Sequence, residues 1–314
     1  MKKIHDIEKN FLYCDSPENI SQVSKLDGLF DIMPPNPDGF LNYFHFLCQH
    51  LPRIYYAKFI KKEELSKLPL FFKAVYYSGI FGDEKSPRDK FKEDCGKNNM
   101  LNQFFKILEV SPEDFYIPQK GELVICKERF HIPGYNILNG WRWSEEGLNF
   151  YKKYFDFLKS KALDAHAKSF DVVLIKREQQ NKLTPDHIKG PSFGVRGISN
   201  FIEVKGFLED YCKKKGLTLG VLKHGSDNFI TSDSKILIGA HGAGLTNMVF
   251  MADRRKHDSQ VIELASEDFF SRKQFALYEF LAKSLGRKYT PLSCEYSHQG
   301  HEVDIRKIEK VLGL

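Results

Sequence analysis

Three glycines surround a histidine at the point where an apolar run gives out. In "ILIGAHGAGLTNMVF", residues 236–250, Gly239, Gly242 and Gly244 flank His241, and Thr246 and Asn247 follow. The stretch reads as a strand that stops and a helix that starts. Glycine permits a tight turn and lets a ligand approach the backbone with no Cβ in the way. A helix beginning near Gly244 presents unpaired N–H groups that favour an anion such as phosphate. Thr246 and Asn247 add hydroxyl and amide donors, and His241 can donate to a phosphate or, when protonated, offset its charge. Close strand–helix packing would use the same glycines. The spacing is G-x-x-G-x-G, so the dinucleotide fingerprint G-x-G-x-x-G is not met.

These residues need a scaffold, and the rhythm of the chain supplies one. After residue 168 strands and helices alternate: "FDVVLIKR", "GISNFIEVKGFLEDYCKKKG", "LTLGVLK", "KILIGA", "QVIELA", "FFSRKQFALYEFLAKSLG", "RKYTPLS" and "DIRKIEKVLGL". Nearly uniform apolar strands separated by helices predict a parallel sheet covered on both faces. Ligands of such sheets bind beyond the carboxyl ends of the strands, where "KILIGA" runs into "HGAG". The first half also reads as α/β. "FLNYFHFLCQHLPRIYYAKFIKK" (40–62) is helical, with Pro52 bending it about a turn earlier because proline lacks an N–H. Strands are expected in 67–77 and 114–133, and helix in 86–110 and 143–165. Two Rossmann-like domains are therefore expected, 1–165 and 166–314, with the last helix free to pack back on the first.

Bulk properties fit this picture. The chain has 314 residues, 42% hydrophobic and 28% charged, with net charge +6. That length suits two domains of about 150 residues each. The mild positive excess suits an anionic small ligand, and no stripe of interleaved arginines and aromatics suggests a nucleic-acid platform. Six cysteines contain no C-x-x-C pair, which argues against structural zinc and fits a reducing cytosol. Two N-terminal lysines precede no apolar core, and no run of about 18 apolar residues exists. The expectation is a cytoplasmic protein, at most peripherally membrane-associated.

"IGAHGAGLTNMVFM" followed by "VIELAS" resembles the signature of glycosyltransferase family 61. Three further stretches fit in order: "NYFHFLCQHLPRIY" (42–55), "VVLIKR" (172–177) with "VRGISNFIEV" (195–204), and "FALYEFLAKSLGRKYTPL". The resemblance spans about residues 39–293. It implies a GT-B enzyme, in which two Rossmann-like domains face across a cleft and the C-terminal one holds a nucleotide sugar, expected to be UDP-linked. It implies inverting transfer without a divalent metal or other cofactor. The sequence agrees in having no Asp-x-Asp for a metal-held diphosphate.

Without a metal, helix-end N–H groups and cations must stabilise the departing diphosphate. The predicted donor site is Arg177, Arg196, His241, Gly242, Ala243, Gly244, Leu245, Thr246, Asn247 and Glu263. Arg177 ends the first strand of the second domain, and its fork of donors matches a diphosphate. Arg196 serves either the ligand or the following helix. Asn200 and Glu203 match the family pattern but read as structural. Glu263 would accept from ribose hydroxyls, as acids at strand ends do in nucleotide folds; a buried structural carboxylate is the competing reading.

An inverting transfer also needs a base to take the acceptor hydroxyl's proton from the face opposite the leaving group. His45, beside the apolar stripe of its helix, is the candidate. His50, Asp38 and the carboxylates at 83–84 are fallbacks. His131 and the aromatics Tyr135, Trp141 and Trp143 are candidates for the acceptor side or for packing. The expected partners are a nucleotide-sugar donor and a glycan or glycolipid acceptor, with a hexose or pentose transferred in glycan or polysaccharide biosynthesis. Two other classes compete: an inactive GT-B protein that only binds sugar nucleotides or acts as a scaffold, and an epimerase or dehydrogenase. The last needs a dinucleotide fingerprint and a Tyr-x-x-x-Lys or similar pair near it; the fingerprint is missing, and Tyr211 and Lys215 have the pair's spacing on the wrong helix.

Overall fold

The structure, a computed structural model, describes residues 6–14, 17–32, 46–72, 87–97, 99–119, 121–131, 145–164, 169–177, 197–223, 234–251, 258–271, 277–297 and 299–314. The chain divides into two compact units, Met1–Ile137 and Leu138–Leu314. The dividing point lies ahead of the 165/166 boundary expected from sequence, so the long helix Glu145–Asp164 belongs with the second unit.

The first unit contains a mixed sheet in the order β1-β5-β2-β3-β4: β1 Asp6–Tyr13, β2 Gln22–Asp31, β3 Leu70–Phe71, β4 Phe115–Tyr116 and β5 Glu122–His131. β5 runs parallel to β2 but antiparallel to β1. The strands β1 and β2 were not expected from sequence. Their outward face carries Leu12, 64% exposed, and Val23, 53% exposed, which blurs the alternation that marks a half-buried strand. Arg129 of β5 ties three strands together. It donates to Asp31 of β2 and Glu8 of β1, and its guanidinium lies 4.6 Å from the centre of the Phe11 ring.

This unit also holds helices α1 (Leu51–Tyr55), α2 (Lys62–Leu65), α3 (Pro87–Lys97) and α4 (Asn99–Ile107). Phe46–His50, directly ahead of Pro52, has the wider π-helical turn, as does Tyr56–Ile60. Proline removes one donor from the ladder, and a wider turn is one way a helix accommodates the loss. Six buried phenylalanines, Phe46, Phe72, Phe91, Phe104, Phe105 and Phe115, pack with ring centres 5.0–6.3 Å apart. Much of the aromatic content is thereby core.

The second unit is built on an all-parallel sheet: β6 Val172–Lys176, β7 Leu219–Lys223, β8 Ile236–Ala240, β9 Gln260–Ala265 and β10 Lys288–Ser293, in the order β10-β9-β8-β6-β7. This is a doubly wound α/β arrangement. The chain steps from β6 to β7 on one side, then returns past β6 to β8 and proceeds the other way. Helices are α5 Glu145–Asp164, α6 Phe201–Lys215, α7 Glu267–Ser271, α8 Leu277–Ser284 and α9 Ile305–Leu312. α6 ends at Gly216 and α9 at Gly313, both with left-handed backbone, and Asp304 caps α9 through the N–H of Arg306. Val204 and Leu208 of α6 and Ile308 of α9 share one core with Val172, Leu174, Ile238 and Ile262, so the last helix buries its apolar side in this unit. A hairpin, β11 Glu295–Ser297 with β12 Gly300–Glu302, precedes it.

The α-helix expected to start near Gly244 is instead a 3-10 helix, Ala243–Phe250. Its tighter turn is reinforced by Asn247, whose amide donates to the Gly244 carbonyl three residues back at 2.8 Å. The segment lies close against β6. A Cβ on Gly239 would come 2.8 Å from Cδ1 of Ile175, and one on Gly244 would come 3.0 Å from its Cγ2. Gly239→Ala should therefore cost about 1–3 kcal/mol of stability in urea unfolding. Ile175→Val, which removes the clashing methyl, should couple to it by at least about 0.5 kcal/mol in a double-mutant cycle.

Candidate functional site

In an open parallel sheet the crevice for a ligand lies beyond the carboxyl ends of the strands, where the winding direction reverses. Here the reversal falls between β6 and β8. The residues that follow these two strands are Arg177 and His241. The Arg177 guanidinium donates through Nη1 to the backbone carbonyl of His241 at 3.4 Å, so the two ends are linked directly. Lys176 ends β6 and Lys223 ends β7, in register with one another. The Lys176 ammonium sits 5.4 Å from the ring centre of Phe201, the first residue of α6. The N-terminus of α6 thus lies at the same edge, and its first N–H groups carry the positive end of the helix dipole.

Gly242 follows His241 with φ 148° and ψ 177°, a backbone state open to glycine and strained for other residues. It turns the chain from β8 into the 3-10 helix, and the Leu245 N–H donates to its carbonyl at 3.0 Å. Gly244, Leu245, Thr246 and Asn247 are buried. The Thr246 hydroxyl is buried with no hydrogen-bond partner among the described residues. An unsatisfied hydroxyl of this kind costs about 1–3 kcal/mol. At the far end of the segment, Lys159 of α5 and Arg287 before β10 both donate to the Met251 carbonyl, at 2.8 and 2.9 Å. Two cations on one carbonyl hold the segment's C-terminal end.

His241 is held from beneath. Its backbone N–H donates to the Leu264 carbonyl at 2.9 Å. Its Nδ1 meets Oε1 of Glu263 at 2.5 Å, and Oε2 of Glu263 accepts from the Tyr289 hydroxyl at 2.6 Å. Glu263 is 1% exposed, on β9. The imidazole also packs against Phe269, ring centres 4.2 Å apart, and edge-on to Tyr278 at 5.2 Å. Burial pushes the Tyr289 phenol well above the ordinary tyrosine range, and the Glu263 charge adds to the shift.

Of the residues predicted from sequence, the structure brings together Arg177, His241, Gly242, Ala243, Gly244, Leu245, Thr246, Asn247 and Glu263. Glu263 faces His241 and Tyr289 in the core rather than the surface. Asn200 bonds to both the N–H and the carbonyl of Val303 and to Glu203, which ties β12's exit to the start of α6. His45, Arg196, Asp38, Asp83, Glu84, Tyr135, Trp141 and Trp143 lie outside the described residues. His50 is fully buried, 6.1 Å from the Phe72 ring. No group of three or more His, Cys, Asp or Glu side chains suited to a metal occurs among the described residues. No helix among them is long and apolar enough to cross a membrane.

Sequence reasoning missed Tyr289, Arg287 and Lys159. For Tyr289 a signal existed: an acid inside "QVIELA", a run of buried strand positions, must find partners on a neighbouring strand. Nothing local marked Lys159, which lies 92 positions from its acceptor.

The family described as Glycosyltransferase 61 matches the chain over residues 43–257, about two thirds of its length. No curated protein gives a significant match. The match contains β6, α6, β7, β8 and the whole 3-10 segment, and the chain belongs to this family.

The Tyr289 geometry carries a consequence for alkaline stability. An unfolded tyrosine ionises near pH 10, whereas Tyr289 in the fold keeps its proton to higher pH. Its contribution is intact below about pH 10 and is lost as pH rises beyond it. Urea unfolding between pH 8 and 11 should show stability falling more steeply in the wild type than in Tyr289→Phe. Equal slopes would refute this account of Tyr289.

Proposed function

We propose that this family 61 glycosyltransferase moves a sugar from a nucleoside-diphosphate donor, UDP-linked, to a hydroxyl of a glycan or glycolipid, with inversion and without a metal. The observation that carries the donor half of this reading is the juxtaposition of Arg177 and His241 at the winding reversal of the second unit. A diphosphate leaving group needs its growing negative charge met by donors already in place. Arg177 offers a planar fork suited to two phosphate oxygens. His241 offers a ring nitrogen, and Gly242–Gly244 let phosphate approach the backbone. Lys176, Lys223 and the α6 N-terminus add positive potential at the same edge. The orphaned Thr246 hydroxyl fits a segment that meets a polar partner when occupied. Arg196 precedes α6 in sequence and is assigned to the same donor.

The acceptor half rests on sequence. We assign the base to His45, on the "NYFHF" stretch inside the family match. The second unit would serve the donor and the first the acceptor, as in GT-B enzymes, and the absence of Asp-x-Asp supports metal-independent transfer.

Two measurements test this reading. A panel of nucleotide sugars, assayed for hydrolysis and transfer with EDTA present, should contain at least one donor that turns over. No turnover of any donor, or strict dependence on added metal, overturns it. Arg177→Ala and His241→Ala should each weaken UDP binding about tenfold or more by calorimetry, the scale of one charge-assisted contact. His45→Ala should keep UDP binding and lose transfer by about 100-fold or more. Near wild-type transfer by His45→Ala removes it as the base.

A further inference from the structure

The donor reading gives His241 a role but not an orientation, and the orientation is written in the residues below it. An imidazole on a strand end can turn about two side-chain bonds and can carry its neutral-state proton on either nitrogen. The contacts beneath the ring bear on both freedoms. Nδ1 faces Oε1 of Glu263 at 2.5 Å, while Phe269 and Tyr278 hold the ring plane from two helices. Glu263 is itself fixed, because its second oxygen accepts from Tyr289 one strand further along. The chain of contacts crosses three adjacent strands, from β10 through β9 to the end of β8. A carboxyl with 1% exposure in this position has no access to a ligand's ribose unless the fold opens.

We infer that Glu263 and Tyr289 are positioning residues for donor binding: they fix the His241 ring with its Nδ1–H donated to Glu263 and leave Nε2 as the ring atom presented to the diphosphate. This replaces the ribose contact expected of Glu263 with a role exerted through His241, and it rests on the donor-site reading above. The arrangement works as the carboxylate does behind a catalytic or metal-binding histidine, where the outer hydrogen bond sets both tautomer and ring direction. When Nε2 donates to a phosphate oxygen the ring carries both protons, and the carboxylate against Nδ1 balances that charge.

Nitrogen-15 NMR of the ligand-free protein tests the orientation directly. The His241 ring signals are assigned by their loss in His241→Gln. In the neutral ring the proton is expected on Nδ1, with Nε2 bare. A proton predominantly on Nε2, or an even mixture, overturns the inference. This readout needs no nucleotide, so it stands even if the donor reading fails.

The second arm measures UDP affinity by calorimetry. Glu263→Gln can still accept from Nδ1–H through its amide oxygen, and it should keep the tautomer and bind within a few-fold of wild type. Glu263→Leu, similar in volume but unable to accept, should lose the tautomer signature and about tenfold or more in UDP affinity. Wild-type UDP affinity in a folded Glu263→Leu overturns the inference while leaving the donor site standing. If Glu263→Leu does not fold, the wild-type tautomer together with Glu263→Gln decides the matter: loss of binding in a folded Glu263→Gln that retains the Nδ1–H tautomer would also overturn it. If UDP binds to no form of the protein, the donor reading falls and the tautomer alone decides the orientation.

Discussion

A carboxyl group buried in the middle of a parallel sheet cannot stand alone. Every residue of β9 from Gln260 to Ala265 is buried, and Glu263 is the acid among them. An unpaired carboxylate there would cost several kcal/mol. Its two oxygens therefore dictate what the neighbouring strands must supply: a ring nitrogen two residues beyond its register partner Gly239 on β8, and a phenol two residues before its register partner Pro291 on β10. The parallel register of β8, β9 and β10 makes this possible by aligning the strands' carboxyl halves. One acidic residue thus couples the alignment of three strands to the placement of a histidine at the sheet's chemically useful edge.

The turn that follows the histidine obeys a steric constraint of comparable force. Gly239 and Gly244 leave room for the single side chain of Ile175, and Gly242 takes a backbone state that side chains resist. Removing the Cβ atoms lets the 3-10 segment settle on β6, and this brings the end of β8 within reach of Arg177. Lys159 and Arg287 hold the other end through one carbonyl. The segment is thereby fixed at both termini by contacts from α5, β6 and the residue before β10, which span more than a hundred positions of sequence. Precision in such a loop comes from the packing around it and not from the loop's own residues.

Local patterns made the second unit readable. Its strands are continuous apolar runs, α6 and α9 end at glycine, and the glycine-rich junction announces itself. The reversal of strand order was not readable, because it is a long-range pairing, yet it is what juxtaposes Arg177 and His241. Glu263 was visible as a residue of interest, and the competing sequence reading of a buried carboxylate describes its surroundings. Its partner Tyr289 lies 26 positions away, where no short-range period points to it. In the first unit β1 and β2 escaped detection because exposed apolar residues share their strands with buried ones. The helix expected at Gly244 became a 3-10 helix because Asn247 closes the tighter turn and Ile175 limits the space, two facts that depend on tertiary contact.

The charges at the carboxyl edge lead one step further. Lys176, Arg177 and Lys223 follow in succession across β6 and β7, beside the positive end of α6. On the donor reading proposed above, these groups would add positive potential at the edge where a diphosphate is expected. Glu263 lies at the same edge but beneath His241, where it orients the ring without lining the crevice. Had the carboxylate stood at the surface, it would have cancelled part of the field that draws an anion in. Buried one layer down, it holds the histidine ring through Nδ1. On the proposed donor reading, the same fold element would separate two requirements that conflict in a single layer: a negative group to hold the imidazole and a positive surface to meet the diphosphate.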